Sequence, residues 1–177
     1  MILSEIRDTL LVLTEEEVDQ FIEKILSSKR IFVAGAGRSG ILVQAFAMRL
    51  MQMGFTTYVV GETTTPSIGI GDLLVMISGS GETQHSYFIL KDARKAGAYT
   101  YLITAHQASR MWNIAQGKIK ISGPTKLSSL NKGKSEQFLG SLFEQGAFIF
   151  LESVIHQLRT KLKMNPEKIM IRHTNLE

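Results

Sequence analysis

Short apolar runs alternate along the chain with longer segments whose apolar residues recur at helical spacing. Residues 73–77 are apolar in succession, which predicts a fully buried strand. Residues 14–25 show helical spacing instead, and Thr14 with Glu17 predicts a capping box at the start of that helix. The same patterns predict further strands at 30–34, 56–60, 99–104 and 118–121, and further helices at 4–13, 39–53, 84–97, 111–115 and 138–161.

The order of these elements predicts the fold class. Strands that alternate with helices favour an α/β fold, here a single three-layer αβα domain with a roughly five-stranded parallel sheet and right-handed crossovers. We expect residues 1–177 to form one domain, with N-terminal helices at 1–29, the parallel core at 30–121, a polar loop at 122–137, and a long helix and tail at 138–177. Ligands of such folds bind beyond the carboxyl ends of the strands.

A hydroxyl-rich loop follows the predicted strand 73–77. Its glycines allow a tight turn, and its hydroxyl groups, together with the N–H groups that open the next helix, can receive an anion. No lysine follows, unlike in the nucleotide-binding loop GxxxxGK[ST], so a small phosphate ester fits better than a triphosphate with magnesium. A Ser/Gly turn that only caps the helix is the alternative. The candidate binding residues are Ser78, Gly79, Ser80, Gly81, Glu82, Thr83 and Gln84.

A second glycine-rich loop, at 35–40, follows the first strand of the predicted sheet. It matches GxGxxG, and Glu62 lies near the spacing at which an acid binds the ribose of a dinucleotide. Arg38 counts against a dinucleotide site because it occupies a position that such sites usually keep small and apolar. Two phosphate-type loops on neighbouring strands fit one sugar phosphate bound from both sides, which adds Gly37, Arg38 and Ser39 to the candidate binding residues.

The composition excludes several classes of protein. A net charge of +4 without an arginine-rich arm does not indicate a nucleic-acid partner. Cysteine is absent, which excludes disulfides and thiolate catalysis. No apolar run approaches the roughly 18 residues of a membrane span, and Glu5 and Asp8 stand where a signal peptide would be basic and then apolar. We therefore expect a cytoplasmic protein with no membrane contact and, because no histidine pair has metal-ligand spacing, no metal site.

Both loops resemble those of the sugar isomerase (SIS) domain family, in which a Ser-x-Ser-Gly-Glu-Thr loop binds a sugar phosphate. Within that family, further blocks are similar to the 6-phospho-3-hexuloisomerases, and together they cover nearly the whole chain. The chain departs from that pattern at Phe138 and Leu139, where Pro-Met is usual, and at Thr174, where alanine is common. The similar blocks are 34–40, 45–51, 60–62, 140–145 and 172–177.

The resemblance implies a flavodoxin-like SIS fold and the isomerisation of D-arabino-hex-3-ulose 6-phosphate to D-fructose 6-phosphate through an enediolate. In the family this step follows 3-hexulose-6-phosphate synthase in the ribulose monophosphate pathway of formaldehyde fixation. It requires no cofactor, and family members are typically homotetramers. Two other interpretations stay open. One is an SIS isomerase of an arabinose or heptose phosphate, and the other is a sugar-phosphate sensor without turnover.

The chemistry requires a base that moves a proton between two carbons. Glu144, among apolar neighbours, is the best candidate, and by resemblance it is the family's proton acceptor; the alternative is a structural glutamate paired with a lysine or arginine. Glu82 is a rival, although a place at a helix N-terminus suits it better. His106 ends a predicted strand on the ligand side and is a weaker candidate for the site.

The last two segments predict contacts between subunits. The helix at 138–161 is apolar on almost every side, so one sheet does not cover it and a subunit interface is expected. Beyond it, Pro166 is expected to end the preceding helix. The apolar residues 169–171 are then expected to anchor the tail, so that His173 reaches a catalytic site, in this subunit or a neighbouring one.

Overall fold

The computed structural model describes residues 1–124 and 135–176. Its elements follow the predicted alternation of helices and strands. In chain order they are α1 (Ile2–Leu10), α2 (Glu15–Ser27), β1 (Ile31–Gly35), α3 (Arg38–Gln52), β2 (Thr57–Val59), β3 (Leu73–Ile77), α4 (Gln84–Lys95), β4 (Tyr99–Thr104), α5 (Arg110–Ile114), β5 (Gly117–Lys120), α6 (Ser141–Lys161) and α7 (Pro166–Met170).

The strands form a five-stranded sheet in the order β2-β1-β3-β4-β5, and every neighbouring pair is parallel. In the central pair Ile31 lies opposite Leu73 and Gly35 opposite Ile77, so β1 and β3 end side by side. This is the flavodoxin-like order, in which the chain reverses direction across the sheet between β1 and β3. The predicted α/β fold is confirmed.

Helices cover both faces of the sheet. One core cluster joins α2, α3 and α6 to the sheet through side chains such as Phe21, Phe46 and Phe150. The other joins α4 and α5 to the opposite face through Leu90 and Met111. Because β3 contacts both clusters, all of its residues are buried, which explains its unbroken apolar sequence.

Local sequence signals define several helix ends. Thr14 Oγ1 accepts the N–H of Glu17 at 3.2 Å while Glu17 Oε2 accepts the N–H of Thr14 at 2.9 Å, so the predicted capping box is confirmed. Gly97 takes the left-handed conformation, with φ of 88°, just beyond the end of α4.

The C-terminal third differs from the prediction at two helix ends. The helix predicted from residue 138 begins at Ser141, because Leu139 takes a φ of 46° that a right-handed helix does not allow. Pro166 was expected to end a helix, which is wrong: α6 ends at Lys161, and Pro166 is the first residue of α7. A proline fits there because the first helical N–H needs no partner within the helix. Most of the predicted loop 122–137 lies outside the described residues.

None of the helices described here has both the length and the apolar character required to span a membrane.

Candidate active site

The loops that follow β1 and β3 form opposite walls of a cavity of about 480 Å³. Its volume lies within the usual range of small-ligand sites, roughly 300–1,000 Å³. The segment that leads into α6 forms a third wall. The lining residues are Ala36, Gly37, Arg38, Ser39, Ile77, Ser78, Gly79, Ser80, Glu82, Thr83, Phe138, Leu139, Gly140, Ser141, Phe143 and Glu144.

The loop after β3 is held in a tight turn by its own hydroxyl groups. Ser78 Oγ accepts the N–H of Gly81 at 3.2 Å, and Ser80 Oγ accepts the N–H of Glu82 at 3.2 Å. Both hydroxyl protons remain available to a ligand, because each oxygen acts as an acceptor in these contacts. Gly81 has a φ of 65°, and a Cβ there would lie 2.1 Å from Ser109 Oγ, so only glycine fits.

Three helices begin at the cavity without a side-chain cap. Gly37, Thr83 and Gly140 are the N-cap residues of α3, α4 and α6, and none of their side chains accepts a hydrogen bond from the helix. By contrast, side-chain oxygens cap α2, α5 and α7, whose N-cap residues are Thr14, Ser109 and Asn165. The free N–H groups and the positive ends of three helix dipoles therefore meet at one cavity, which favours an anionic ligand.

Glu144 and Arg38 form an ion pair in the cavity wall, between Arg38 Nε and Glu144 Oε2. The Glu144 side chain is 17% exposed and the Arg38 side chain 69%. Glu144 lies in the first turn of α6, next to the buried Phe143. Glu144 therefore has the arginine partner that is expected of a structural glutamate. That partner, Arg38, also lines the cavity, and because its side chain is largely exposed it has room to turn towards a ligand.

Glu82 is engaged elsewhere. Its Oε1 accepts the backbone N–H of Arg110 at 2.7 Å, and its Oε2 lies 3.0 Å from Arg110 Nε. This places the carboxylate at the N-terminus of α5, where the helix dipole favours it. The expected position at a helix N-terminus is therefore observed, and the carboxylate is less suited than Glu144 to act on a ligand.

Comparison with known proteins identifies the family. The SIS-domain family model matches residues 24–130. The chain belongs to the SIS-domain family. It is 39% identical over 176 residues, 99% of this chain and 95% of the relative, to a protein of Bacillus subtilis named 3-hexulose-6-phosphate isomerase. It is 38% identical over 177 residues, 100% of this chain and 88% of the relative, to a Mycobacterium gastri protein of the same name.

A solved structure agrees with this fold over nearly the whole chain. The protein MJ1247 of Methanococcus jannaschii matches with a TM-score of 0.85 and 33% identity, covering 99% of this chain and 98% of that one. Its description infers a molecular function of 3-hexulose-6-phosphate isomerase. The family assignment made from the loop sequences is therefore confirmed.

The structure brings most of the predicted binding residues to the walls of this SIS cavity. Gly81 and Gln84 are exceptions: Gly81 is buried beneath the loop against Ser109, and Gln84 is the exposed first residue of α4. His106 lies between β4 and α5, half-buried, and is absent from the cavity wall. Its backbone carbonyl accepts a hydrogen bond from the Ser109 hydroxyl at 3.0 Å, and Ser109 in turn packs against Gly81 of the loop after β3.

His173 is not among the residues that line the cavity. The tail returns to the far end of α3, where a Cβ added at Gly54 would lie 3.1 Å from the Arg172 guanidinium. Because α3 begins at the cavity and has 15 residues, its ends are about 22 Å apart. Within one chain the expected apolar anchor is observed only in part, since Ile169 is half-buried whereas Met170 is 67% and Ile171 82% exposed.

The third wall was missed among the predicted binding residues. Phe138, Leu139, Gly140, Ser141 and Phe143 line the cavity although the periodicity assigned this stretch to the long helix. The available signal was Gly140-Ser141 directly before an apolar run, because glycine and serine are common residues at helix N-termini. Ser141 thus adds a residue with a hydroxyl group to the cavity wall.

Proposed function

We propose that this protein is a 3-hexulose-6-phosphate isomerase that converts D-arabino-hex-3-ulose 6-phosphate to D-fructose 6-phosphate, and that residues 1–177 act as one SIS domain. The observation that carries the proposal is the full-length similarity to relatives of that name, at 39% and 38% identity. The cavity supports it independently, because it combines free helix N-termini with a carboxylate and a guanidinium.

The substrate phosphate is proposed to bind at the loop after β3. The hydroxyl groups of Ser78, Ser80 and Thr83 and the free N–H groups of α4 surround one pocket, and a phosphate has three oxygens to receive them. This site requires no magnesium, since the ester carries a single phosphate. The sugar chain would then extend towards α3 and α6.

The chemistry is a proton transfer between neighbouring carbons. Glu144 would take the proton from C2 and return it to C3, while the hydroxyl proton moves from the oxygen on C2 to the oxygen on C3. Arg38 and the free N–H groups of α3 and α6 would stabilise the negative oxygen of the enediolate. The bound sugar would displace the Arg38–Glu144 contact, so that the carboxylate faces carbon and the guanidinium faces oxygen. The reaction involves no net oxidation and no cofactor.

We further propose a homotetramer in which His173 serves the site of a neighbouring subunit, because within one chain Arg172 lies beside Gly54 at the far end of α3. Exposed apolar side chains on α3 and α6 favour an interface there. They are Ile41, Met48, Met51, Phe148 and Ile149.

The proposed setting is the cytoplasm and the ribulose monophosphate pathway. There 3-hexulose-6-phosphate synthase would supply the substrate from ribulose 5-phosphate and formaldehyde. Incubating the protein with that synthase and its two substrates, and measuring fructose 6-phosphate, tests the proposal directly.

The outcomes of that assay separate the alternatives. Formation of fructose 6-phosphate that requires the protein supports the isomerase. Turnover of arabinose 5-phosphate or a heptose phosphate in its place would indicate another SIS isomerase. Binding of fructose 6-phosphate by calorimetry without any turnover would indicate a sensor.

A further inference from the structure

A carboxylate on the N-terminal helix α1 binds residues 135–137, which directly precede the third wall of the site. Glu5 Oε2 accepts the hydroxyl of Ser135 at 2.6 Å and the side-chain amide of Gln137 at 3.1 Å. Glu5 Oε1 accepts the backbone N–H of Glu136 at 3.2 Å. Both Glu5 and this segment lie outside residues 24–130, the part that matches the SIS-domain model.

Two connections lead from these hydrogen bonds to Glu144. The side-chain oxygen Oε1 of Gln137 accepts a hydrogen bond from Gln145 Nε2 at 2.8 Å, and Gln145 follows Glu144 on α6. In the backbone, the N–H of Ser141 donates to the carbonyl of Phe138 at 3.0 Å, which joins the segment to the first turn of α6. A displacement of residues 135–137 would therefore reach both the cavity wall and the base.

The contacts of Glu5 require a carboxylate. All three partners donate hydrogen bonds, and an ionised carboxylate only accepts them. The Ser135 hydroxyl, with the Glu136 N–H and the Gln137 amide, accordingly holds the pKa of Glu5 below its usual value. Attachment of α1 to the fold does not depend on Glu5 alone, because Thr9 Oγ1 donates to the Ser122 carbonyl at 2.9 Å and Ile6 is buried.

We propose that Glu5 is a positioning residue for the isomerase reaction: its carboxylate holds residues 135–140 and, through Gln137 and Gln145, sets the position of Glu144 in the cavity. The inference rests on the proposed function for its catalytic consequence. Without the carboxylate, the phosphate loop after β3 would remain intact while the base and the third wall lose their alignment.

The test compares Glu5→Gln with Glu5→Asp and with Asp8→Asn. In Glu5→Gln the new side-chain NH₂ group faces the hydrogen-bond donors of residues 135–137 and cannot accept from them. In Glu5→Asp the negative charge is kept on a shorter side chain. Asp8 lies on the same helix, is exposed and pairs with Arg7 at 3.3 Å, so its variant is the matched control. We expect Glu5→Gln to lower kcat by about 10- to 100-fold, the range that a displacement of about 1 Å produces. KM should change by less than about 3-fold, because the contacts that bind the substrate equally well in the ground state and the transition state are preserved.

Glu5→Asp should recover part of the lost kcat, and Asp8→Asn should match the unaltered protein. Equal kcat in Glu5→Gln and Asp8→Asn would overturn the proposal, as would a loss in Glu5→Gln that appears wholly in KM.

Amide hydrogen exchange gives a second measurement that needs no substrate. Glu5→Gln should raise exchange in peptides spanning 135–145 and leave those of β1 and β3 unchanged, with no such rise in Asp8→Asn. Unchanged exchange at 135–145 would overturn the proposal. A wild-type protein that fails to turn over the hexulose phosphate would refute the proposed function, and the exchange comparison would still decide whether Glu5 holds this segment.

Discussion

Arg38 and Glu144 meet in the cavity wall although 106 positions separate them in the chain. Both residues lie at the start of a helix: Arg38 is the first residue of α3, and Glu144 lies in the first turn of α6. The sheet brings those two starts together because α3 follows β1 at its carboxyl end and α6 packs beside α3 on the same face. The pair places a guanidinium and a carboxylate at one edge of the cavity, and the proposed reaction needs a base to form the enediolate and a cation to stabilise it.

Replacing the proposed base should separate catalysis from binding. Glu144→Gln keeps the shape of the side chain but removes its ability to take a proton. We expect kcat to fall by about 10²–10⁴ while calorimetric affinity for fructose 6-phosphate changes little. Glu152→Gln is the control, since Glu152 lies on the same helix outside the cavity wall, 3.6 Å from Arg49. Near-normal turnover in Glu144→Gln would transfer the role of base to Glu82 or His106.

Arg38→Leu should impair the reaction without weakening the fold. Because the Arg38 side chain is 69% exposed, its ion pair contributes little to stability, and Tm should stay within about 2 °C. Loss of the charge that faces the developing enediolate should lower kcat by about 10²-fold. Thermal unfolding and steady-state kinetics on the same preparation check both statements. A large loss of Tm with intact kcat would make Arg38 a structural residue.

The hydroxyl groups of the loop after β3 should act on binding. Ser80→Ala removes a charge-assisted hydrogen bond to phosphate worth roughly 1.5–3 kcal/mol, so affinity for fructose 6-phosphate should fall by about 10- to 150-fold. Thr83→Ala should act in the same direction. Ser27→Ala, exposed at the end of α2, should have no effect. Unchanged affinity in Ser80→Ala and Thr83→Ala would place the phosphate elsewhere, and titration calorimetry distinguishes these results.

Asp72→Asn should weaken the fold and leave the site active. Asp72 is 2% exposed, accepts Arg30 Nε at 2.9 Å and the N–H of Gly69 at 2.8 Å, and lies at the end of the sheet away from the cavity. We expect a loss of about 1–3 kcal/mol at pH 7, because a buried charged acceptor is replaced. Urea unfolding measures it, and unchanged kcat is the internal control.

The same carboxyl group should make stability sensitive to acid. The Arg30 hydrogen bond, with that of Gly69, holds the pKa of Asp72 below its usual value despite burial. Its contribution is therefore present above the unfolded-state pKa of about 3.9 and is lost as pH falls through the lower folded-state pKa. The difference between Asp72→Asn and the unaltered protein should shrink below about pH 4. A constant difference from pH 7 to pH 3 would contradict this.

Deletion of residues 172–177 should cost activity more than stability. These residues are exposed where the structure describes them, at 172–176, so Tm should change by only a few degrees. If His173 serves a neighbouring subunit, kcat should fall by about 10-fold or more, and mixing the truncated chain with Glu144→Gln subunits should restore part of the activity. Full turnover by the truncated chain would leave the tail without a catalytic part.

The amino-acid sequence by itself determined the elements that depend on local signals. The run Leu73–Ile77 specifies a buried strand because each of its residues must leave water, and the capping box of Thr14 and Glu17 specifies a helix start within four residues. The turn at Gly81 was also readable, since glycines and hydroxyls produce that conformation locally. The family resemblance also lies in short blocks, among them the loop that contains Gly81.

Only the tertiary structure decided which distant residues meet. The packing of α1, α3, α6 and α7 decides three such contacts. They are the pairing of Glu144 with Arg38, the hydrogen bonds that Glu5 accepts from residues 135–137, and the position of Arg172 beside Gly54. The start of α6 at Ser141 was likewise not predictable from the sequence. The apolar periodicity includes Phe138, but the chain bends at Leu139, where it lines the cavity. Periodicity records which side chains are buried, and it carries no information on which partner buries them.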